Sequence, residues 1–199
     1  MEPDLAFLLP ATAIWLAAGI VAERLPEVRT ARALRRRTGW LGVLAIAGLV
    51  ALAVPILDAL SSPGPAGPGQ GFTSLALPAA PAVVVAAVTV RRIRHLWTGT
   101  GTFASAPETP AAPALLAGAA HPLVAFPVQL TGLAALATAV TAVGLVPLTA
   151  PDMLGLALTG VVLAVVAIGV RHALRHSRLV ELAVTARPGS PRAARVLHV

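Results

Sequence analysis

Long apolar runs alternate with short polar or charged segments along the chain. The runs cover about residues 5–22, 40–60, 72–90, 123–148 and 153–170. A helix needs about 20 apolar residues to cross the roughly 30 Å hydrocarbon core of a bilayer. A backbone that crosses this core must satisfy its own hydrogen bonds, as a helix does. The pattern therefore predicts an all-α polytopic membrane protein, a single bundle of about five transmembrane helices.

The start of the fourth predicted span is ambiguous. Residues 114–126 are weakly apolar and too few to cross a bilayer alone. Pro122 and Pro127 favour a break over a straight helix. The sequence leaves open whether this segment is re-entrant or belongs to the fourth span.

The chain after the fifth span is basic and amphipathic. In residues 171–186, Arg171, Arg175 and Arg178 fall on one side of a helix, with Leu179 broadly opposite. We expect a short interfacial C-terminal helix that completes the bundle domain, residues 1–186. Residues 187–199 are predicted to form a basic flexible tail.

Composition supports the membrane class and excludes several chemistries. Only 12% of the residues are charged, against about 25% in a soluble domain. The chain has no Cys, Lys or Tyr, which rules out disulfides, thiolate nucleophiles and a lysine Schiff base. The net charge is +7, but the basic runs carry neither interleaved aromatics nor a recognition motif, so we expect no nucleic-acid partner.

The arginines cluster in the polar segments next to the apolar runs, and this distribution predicts the orientation of the chain. The segment Glu23–Thr38, between the first two spans, holds six arginines. Arginine-rich loops stay in the cytoplasm, so the N-terminus is predicted outside and the C-terminus inside. The arginine-only basic set and the Ala-rich composition favour a bacterial cytoplasmic membrane. Its anionic inner-leaflet lipids are the expected partner of a basic cytoplasmic surface made of Arg35, Arg36, Arg37, Arg91, Arg92, Arg94, Arg171, Arg175 and Arg178.

Four histidines are candidates for a metal site. His95, His121 and His172 are predicted at the same membrane interface, and His176 follows His172 by one helical turn. Imidazoles at that spacing can share a metal. The alternative is that they are interfacial side chains beside arginines, whose charge opposes a bound cation. We favour the alternative and expect no metal and no cofactor.

Small residues recur in the fifth span at Gly155, Thr159, Gly160 and Ala164. Such spacings let helices approach closely. Packing within the bundle and packing against a partner or a second copy both fit the pattern, and an Ala-rich composition also produces it by chance.

The middle of the predicted spans holds no ionisable residue, which disfavours a proton-coupled pump or carrier. Gln129 is the largest polar group at membrane depth. It is predicted either to make one interhelical hydrogen bond or to line a polar cavity.

The sequence shows no nucleophile motif, phosphate loop or HExxH motif, so we assign no catalytic residue. The leading hypothesis is a non-enzymatic subunit or accessory component of a larger membrane complex. The second is a small transporter or channel component with a cavity near Gln129. The third is a membrane enzyme with a histidine-bound metal at the cytoplasmic face.

Overall fold

The computed structural model describes residues 3–61, 70–101, 105–106, 108–144 and 151–185. These residues form helices and no β-strand. The α-helices are α1 (Pro3–Glu23), α2 (Ala31–Ser61), α3 (Gln70–Val84), α4 (Val90–Gly101), α5 (Pro113–Ala119), α6 (Pro122–Ala142) and α7 (Pro151–Thr185). A 3₁₀ turn, Leu25–Glu27, follows α1, and a π turn, Val85–Thr89, joins α3 to α4.

Four helical segments are long and apolar enough to cross a membrane. They are Phe7–Glu27, Ala31–Leu57, Pro113–Ala142 and Thr159–Thr185. The structure thus shows a helical chain with membrane-spanning character. The predicted count of five is not confirmed, because the segment 72–90, which runs from α3 through the π turn to the first residue of α4, is not among the four.

Several helix boundaries differ from the predicted spans. α2 begins at Ala31, so most of the arginines assigned to the loop after α1 lie in the first turns of a helix. α7 is one continuous helix to Thr185, and the segment predicted as a short interfacial helix is its second half. α6 ends at Ala142. The end of the predicted fourth span, 145–148, and the tail 187–199 lie outside the described residues.

The ambiguous segment before the fourth span is a short helix followed by a break. α5 ends at Ala119, and α6 begins with Pro122 in its first turn, where the missing N–H is not needed. His121 caps α6, since its Nδ1 accepts a hydrogen bond from the Leu123 N–H at 3.2 Å. The chain therefore turns at His121 before α6 starts.

A proline in α6 explains a contact between two helices. Pro127 has no N–H, so the carbonyl of Leu123, four residues earlier, loses its helical partner. Thr89, the last residue of the π turn, donates its hydroxyl to that carbonyl at 2.8 Å. The bond joins the π turn to α6 and satisfies a carbonyl that would be costly to leave unpaired in an apolar environment.

The core forms around Trp15, in the middle of α1, which is 0% exposed. A Cβ added to Gly48 of α2 would lie 2.7 Å from Trp15 Cε2. A Cβ added to Gly132 of α6 would lie 3.3 Å from the Trp15 carbonyl oxygen. α2 and α6 therefore approach α1 closely because each presents a glycine to Trp15.

α7 is the least buried of these helices. From Gly155 to Leu163 every side chain that the structure describes is exposed. Partly buried positions begin at Ala164 and recur through Ile168 and Arg175, on the side facing the bundle. α7 is therefore attached to the other helices through its second half.

Candidate functional site

A cluster of polar side chains joins α7 to the rest of the bundle. It consists of Glu23, Glu27, Gln129, Arg171, His172 and Arg175, and we call it the Glu23 cluster. Glu23 is the last residue of α1, and its side chain is 20% exposed. Its Oε1 lies 2.6 Å from a guanidinium nitrogen of Arg171 and 3.1 Å from one of Arg175. Two arginines one helical turn apart thus share one carboxylate.

The second carboxylate oxygen of Glu23 faces α6. Gln129 Nε2 donates to Glu23 Oε2 at 3.0 Å. The Gln129 carbonyl oxygen accepts from His172 Nε2 at 2.8 Å. Because an amide oxygen only accepts, this bond places a proton on Nε2 of His172, a side chain that is 3% exposed. Gln129 therefore bridges α1 and α7 with both ends of its amide.

Arg175 extends the cluster to the 3₁₀ turn. One of its nitrogens donates to the Glu23 backbone carbonyl at 3.0 Å, and the other donates to Glu27 Oε1 at 2.8 Å. The planar guanidinium suits such divided contacts better than a lysine ammonium does. Two carboxylates face two arginines, so the positive charge of Arg171 and Arg175 is compensated within the protein.

A cleft of about 380 Å³ lies beside the Glu23 cluster. Its polar wall includes Glu23, Arg24, Gln129 and Arg171. Its apolar wall comes from α1, α6 and α7 and comprises Trp15, Leu16, Ile20, Leu133 and Ile168. A cavity with apolar walls and a few convergent polar groups is the usual form of a small-molecule site. Gln129 thus makes interhelical hydrogen bonds and also lines a cleft.

The histidines do not meet at one point. His172 contacts Gln129, whereas His176 donates from Nδ1 to the Ala117 carbonyl at 3.0 Å. The rings of His121 and His176 lie 4.8 Å apart. His95 lines a separate pocket with Arg91. Within the described part of the chain, no three His, Asp or Glu side chains are grouped so that they could hold a metal ion.

Gly155 and Gly160, two of the four small residues in the fifth predicted span, contact no other helix among the described residues. A Cβ added to Gly155 or Gly160 would meet nothing within 4 Å in the described structure. Thr159 is exposed and donates its hydroxyl to the Gly155 carbonyl at 2.8 Å, and Ala164 is half-buried. Close helix packing occurs instead between α1 and α6, where Thr12 Oγ1 donates to the Ala135 carbonyl at 3.2 Å.

The predicted basic surface divides into compensated and uncompensated arginines. Arg171 and Arg175 pair with carboxylates. Arg35 lies over the Trp97 ring, 4.9 Å from its centroid, and Arg37 donates to the Arg24 carbonyl at 2.6 Å. In the ranges that the structure covers, Arg36, Arg91, Arg92, Arg94 and Arg178 have no carboxylate within 4.0 Å.

Sequence reasoning did not identify Glu23 and Glu27 as site residues, because both were assigned to a loop. One signal was present in the sequence. Glu23 and Glu27 are four residues apart, as are Arg171 and Arg175. Side chains four residues apart share one face of a helix, so each segment presents two like charges together, and the two faces are opposite in charge.

A comparison of the chain with protein-family models, with curated proteins and with solved structures found no match.

Proposed function

We propose that this chain is a multi-pass membrane protein that acts as a non-enzymatic subunit or accessory component of a larger membrane complex. The observation that carries the proposal is the exposure of the first half of α7. Its second half is fixed by the Glu23 cluster, whereas Gly155 and Gly160 meet no neighbour among the described residues. In lipid, helices associate through close packing at small residues, and these glycines offer such a surface to a partner helix.

The partner contact is tested by replacing Gly160 with leucine. Because no described residue lies within 4 Å of a Cβ at Gly160, we expect the variant to fold as the wild type does. We expect the larger side chain to prevent close approach of a partner helix and to reduce the co-purifying protein by about 10-fold, which corresponds to 1.4 kcal/mol of contact. The measurement is quantitative mass spectrometry of the tagged chain purified from its native membrane in mild detergent.

Val162→Leu is the matched control, because Val162 is 58% exposed and lies about 200° around the helix from Gly160. It should retain the partner. Equal partner recovery with Gly160→Leu and Val162→Leu would show that Gly160 faces lipid.

The proposal includes an orientation, with the arginine-rich end of the bundle in the cytoplasm of a bacterium. The support is the arginine asymmetry together with the positive-inside rule. Because the chain has no Cys, each introduced cysteine is unique. In intact cells, a cysteine at Ser62 should react with an impermeant maleimide, and a cysteine at Ser105 should react only after the cells are opened. The opposite labelling would reverse the orientation.

The cleft beside Gln129 favours a second candidate, a small transporter component. Its volume of about 380 Å³ and its mixed walls suit a small polar solute. Leu133 lines the cleft, whereas Leu136, on the same helix, does not.

The transport candidate is tested in proteoliposomes supplied with a panel of labelled amino acids, sugars and inorganic ions. We expect Leu133→Trp to fill the cleft and abolish uptake of any transported solute, and Leu136→Trp to leave uptake unchanged. Uptake no greater than in protein-free liposomes for the whole panel would set this candidate aside.

A further inference from the structure

A second basic region lies on α4, away from the Glu23 cluster. Two adjoining pockets, each of about 490 Å³, share Arg91 and His95. Arg92 lines one pocket and Arg94 lines the other. Four groups able to carry positive charge therefore surround one surface depression within five residues of sequence.

These arginines differ from those of α7 in their charge balance. Among the described residues, no carboxylate lies within 4.0 Å of Arg91, Arg92 or Arg94, whereas Arg171 and Arg175 share Glu23. Guanidinium groups form strong charge-assisted hydrogen bonds with phosphate oxygens. The arginines of α4 therefore suit an anion that the described residues do not supply.

The chain immediately before these arginines, at the end of α3 and in the π turn, is apolar and exposed. Val83 and Val84, immediately before the π turn, are 66% and 41% exposed. Ala87, within the π turn, is also exposed and lines one of the pockets. Ile93 of α4 lines neither pocket and is buried. The same surface thus joins an apolar strip to a cluster of uncompensated positive charge.

An anionic phospholipid has this combination of groups. Its phosphate carries negative charge at the membrane surface, and its acyl chains lie directly below in the hydrocarbon. A soluble phosphate ester matches the arginines but leaves the exposed valines unoccupied. A zwitterionic phospholipid matches the valines, but its headgroup carries a positive charge close to the arginines.

We propose that Arg91, Arg92 and His95 bind the headgroup phosphate of an anionic phospholipid, with an acyl chain along Val83 and Ala87. The site rests on the membrane location in the proposed function, but it does not require a protein partner. It adds a defined lipid position to a general attraction between arginines and an anionic leaflet.

The first test is native mass spectrometry of the full chain with phosphatidylglycerol and with phosphatidylcholine. We expect Arg91→Gln/Arg92→Gln to lower phosphatidylglycerol affinity by roughly 25-fold, about fivefold for each arginine near the lipid phosphate. The control Arg36→Gln/Arg178→Gln removes the same charge from two arginines that also have no carboxylate within 4.0 Å in the described part of the chain. It should change affinity less than twofold. Equal losses in the two variants would overturn a defined site.

Glycerol 1-phosphate distinguishes a lipid site from a soluble phosphate site. We expect it to displace phosphatidylglycerol only at concentrations far above those of the lipid. Binding of glycerol 1-phosphate as tight as that of phosphatidylglycerol would overturn the lipid assignment.

The second test keeps every arginine and therefore does not depend on the folding of a charge variant. A fluorophore on Val83→Cys is reconstituted with spin-labelled phosphatidylglycerol or spin-labelled phosphatidylcholine. Quenching at Val83 should be at least twice as strong with the anionic lipid, while a fluorophore on Val162→Cys should be quenched equally by both. Equal quenching at Val83 by the two lipids would contradict the site. Failure of the membrane assignment would appear separately, as no quenching at either position.

Discussion

Replacing Gly48 with valine is expected to destabilise the folded bundle by about 3 kcal/mol, within the range found for overpacked cores. A Cβ at this position would lie 2.7 Å from Trp15 Cε2, closer than van der Waals contact allows. The indole has no room to withdraw, because Trp15 is fully buried and its backbone carbonyl is already close to Gly132. α2 would have to move away from α1, and the close packing that stabilises helices in lipid would be lost.

The measurement is the midpoint of thermal unfolding in mild detergent, together with the monodisperse fraction on size exclusion. Gly155→Ala is the matched control, since a Cβ there meets no atom within 4 Å among the described residues. Alanine is the better helix former by up to about 1 kcal/mol, so the control should unfold at the same temperature or higher. A Gly48→Val protein as stable as the control would show that α1 and α2 are farther apart than described.

Replacing Glu23 with glutamine is expected to release α7 from the bundle. The substitution removes the negative charge that Arg171 and Arg175 share. It leaves Arg171, which is 67% exposed, facing a neutral amide, and it leaves Arg175, which is 24% exposed, with Glu27 as its carboxylate partner. Removing one partner of a buried ion pair costs about 3–5 kcal/mol, whereas an exposed pair contributes under about 1 kcal/mol. Because Glu23 is 20% exposed but Arg171 is 67% exposed, we expect an intermediate loss, about 2 kcal/mol. Gln129 and His172 remain bonded to each other, so the separation should begin at the arginines.

A single cysteine at Ile168 reports the release directly. Ile168 lies on α7 and lines the cleft beside Gln129, so its thiol should react faster with maleimide once α7 moves away. In the Glu23→Gln background we expect at least a 10-fold faster reaction and a lower unfolding temperature. Glu108→Gln is the control, because its contact with Arg32 is exposed on both sides and contributes under about 1 kcal/mol. Unchanged reactivity in Glu23→Gln would mean that other contacts hold α7.

The fold class followed from the sequence because hydropathy depends only on the composition and length of each run. Hydropathy did not predict the helix boundaries in the run 123–148. Its apolar character predicted a helix, yet the boundaries depended on how His121 caps α6 and on the turn after Ala142, where Gly144 adopts a φ of +72°. Such local geometry is set by single hydrogen bonds and dihedral angles, which an average over about 20 residues does not register.

The polar cluster was only partly predictable. Gln129 is the largest polar group at membrane depth. That fact alone predicts either an interhelical hydrogen bond or a place in the wall of a polar cavity. Glu23 did not stand out, because a carboxylate next to an arginine-rich segment is common at the end of a transmembrane helix. Its role depends on α7 lying beside α1, and the order of helices in the sequence does not specify which of them are neighbours in space.

The small residues of α7, unlike Glu23, were recognised from the sequence, but their neighbour was not. Their spacing suggested close packing, and the structure places Gly155 and Gly160 on a surface where the described part of the chain offers no neighbour. Spacing identifies a face of a helix, but it does not identify what covers that face.

The most direct test of the central proposal is photo-crosslinking in intact native membranes, before any detergent is added. A photoreactive amino acid is placed at Gly160 or, separately, at Val162, and the crosslinked products are identified by mass spectrometry. The proposed subunit role predicts one discrete protein adduct from position 160, either a second polypeptide or a second copy of this chain, and mainly lipid adducts from position 162. Lipid adducts alone at both positions would contradict the proposal that the exposed half of α7 is an interface with another membrane protein.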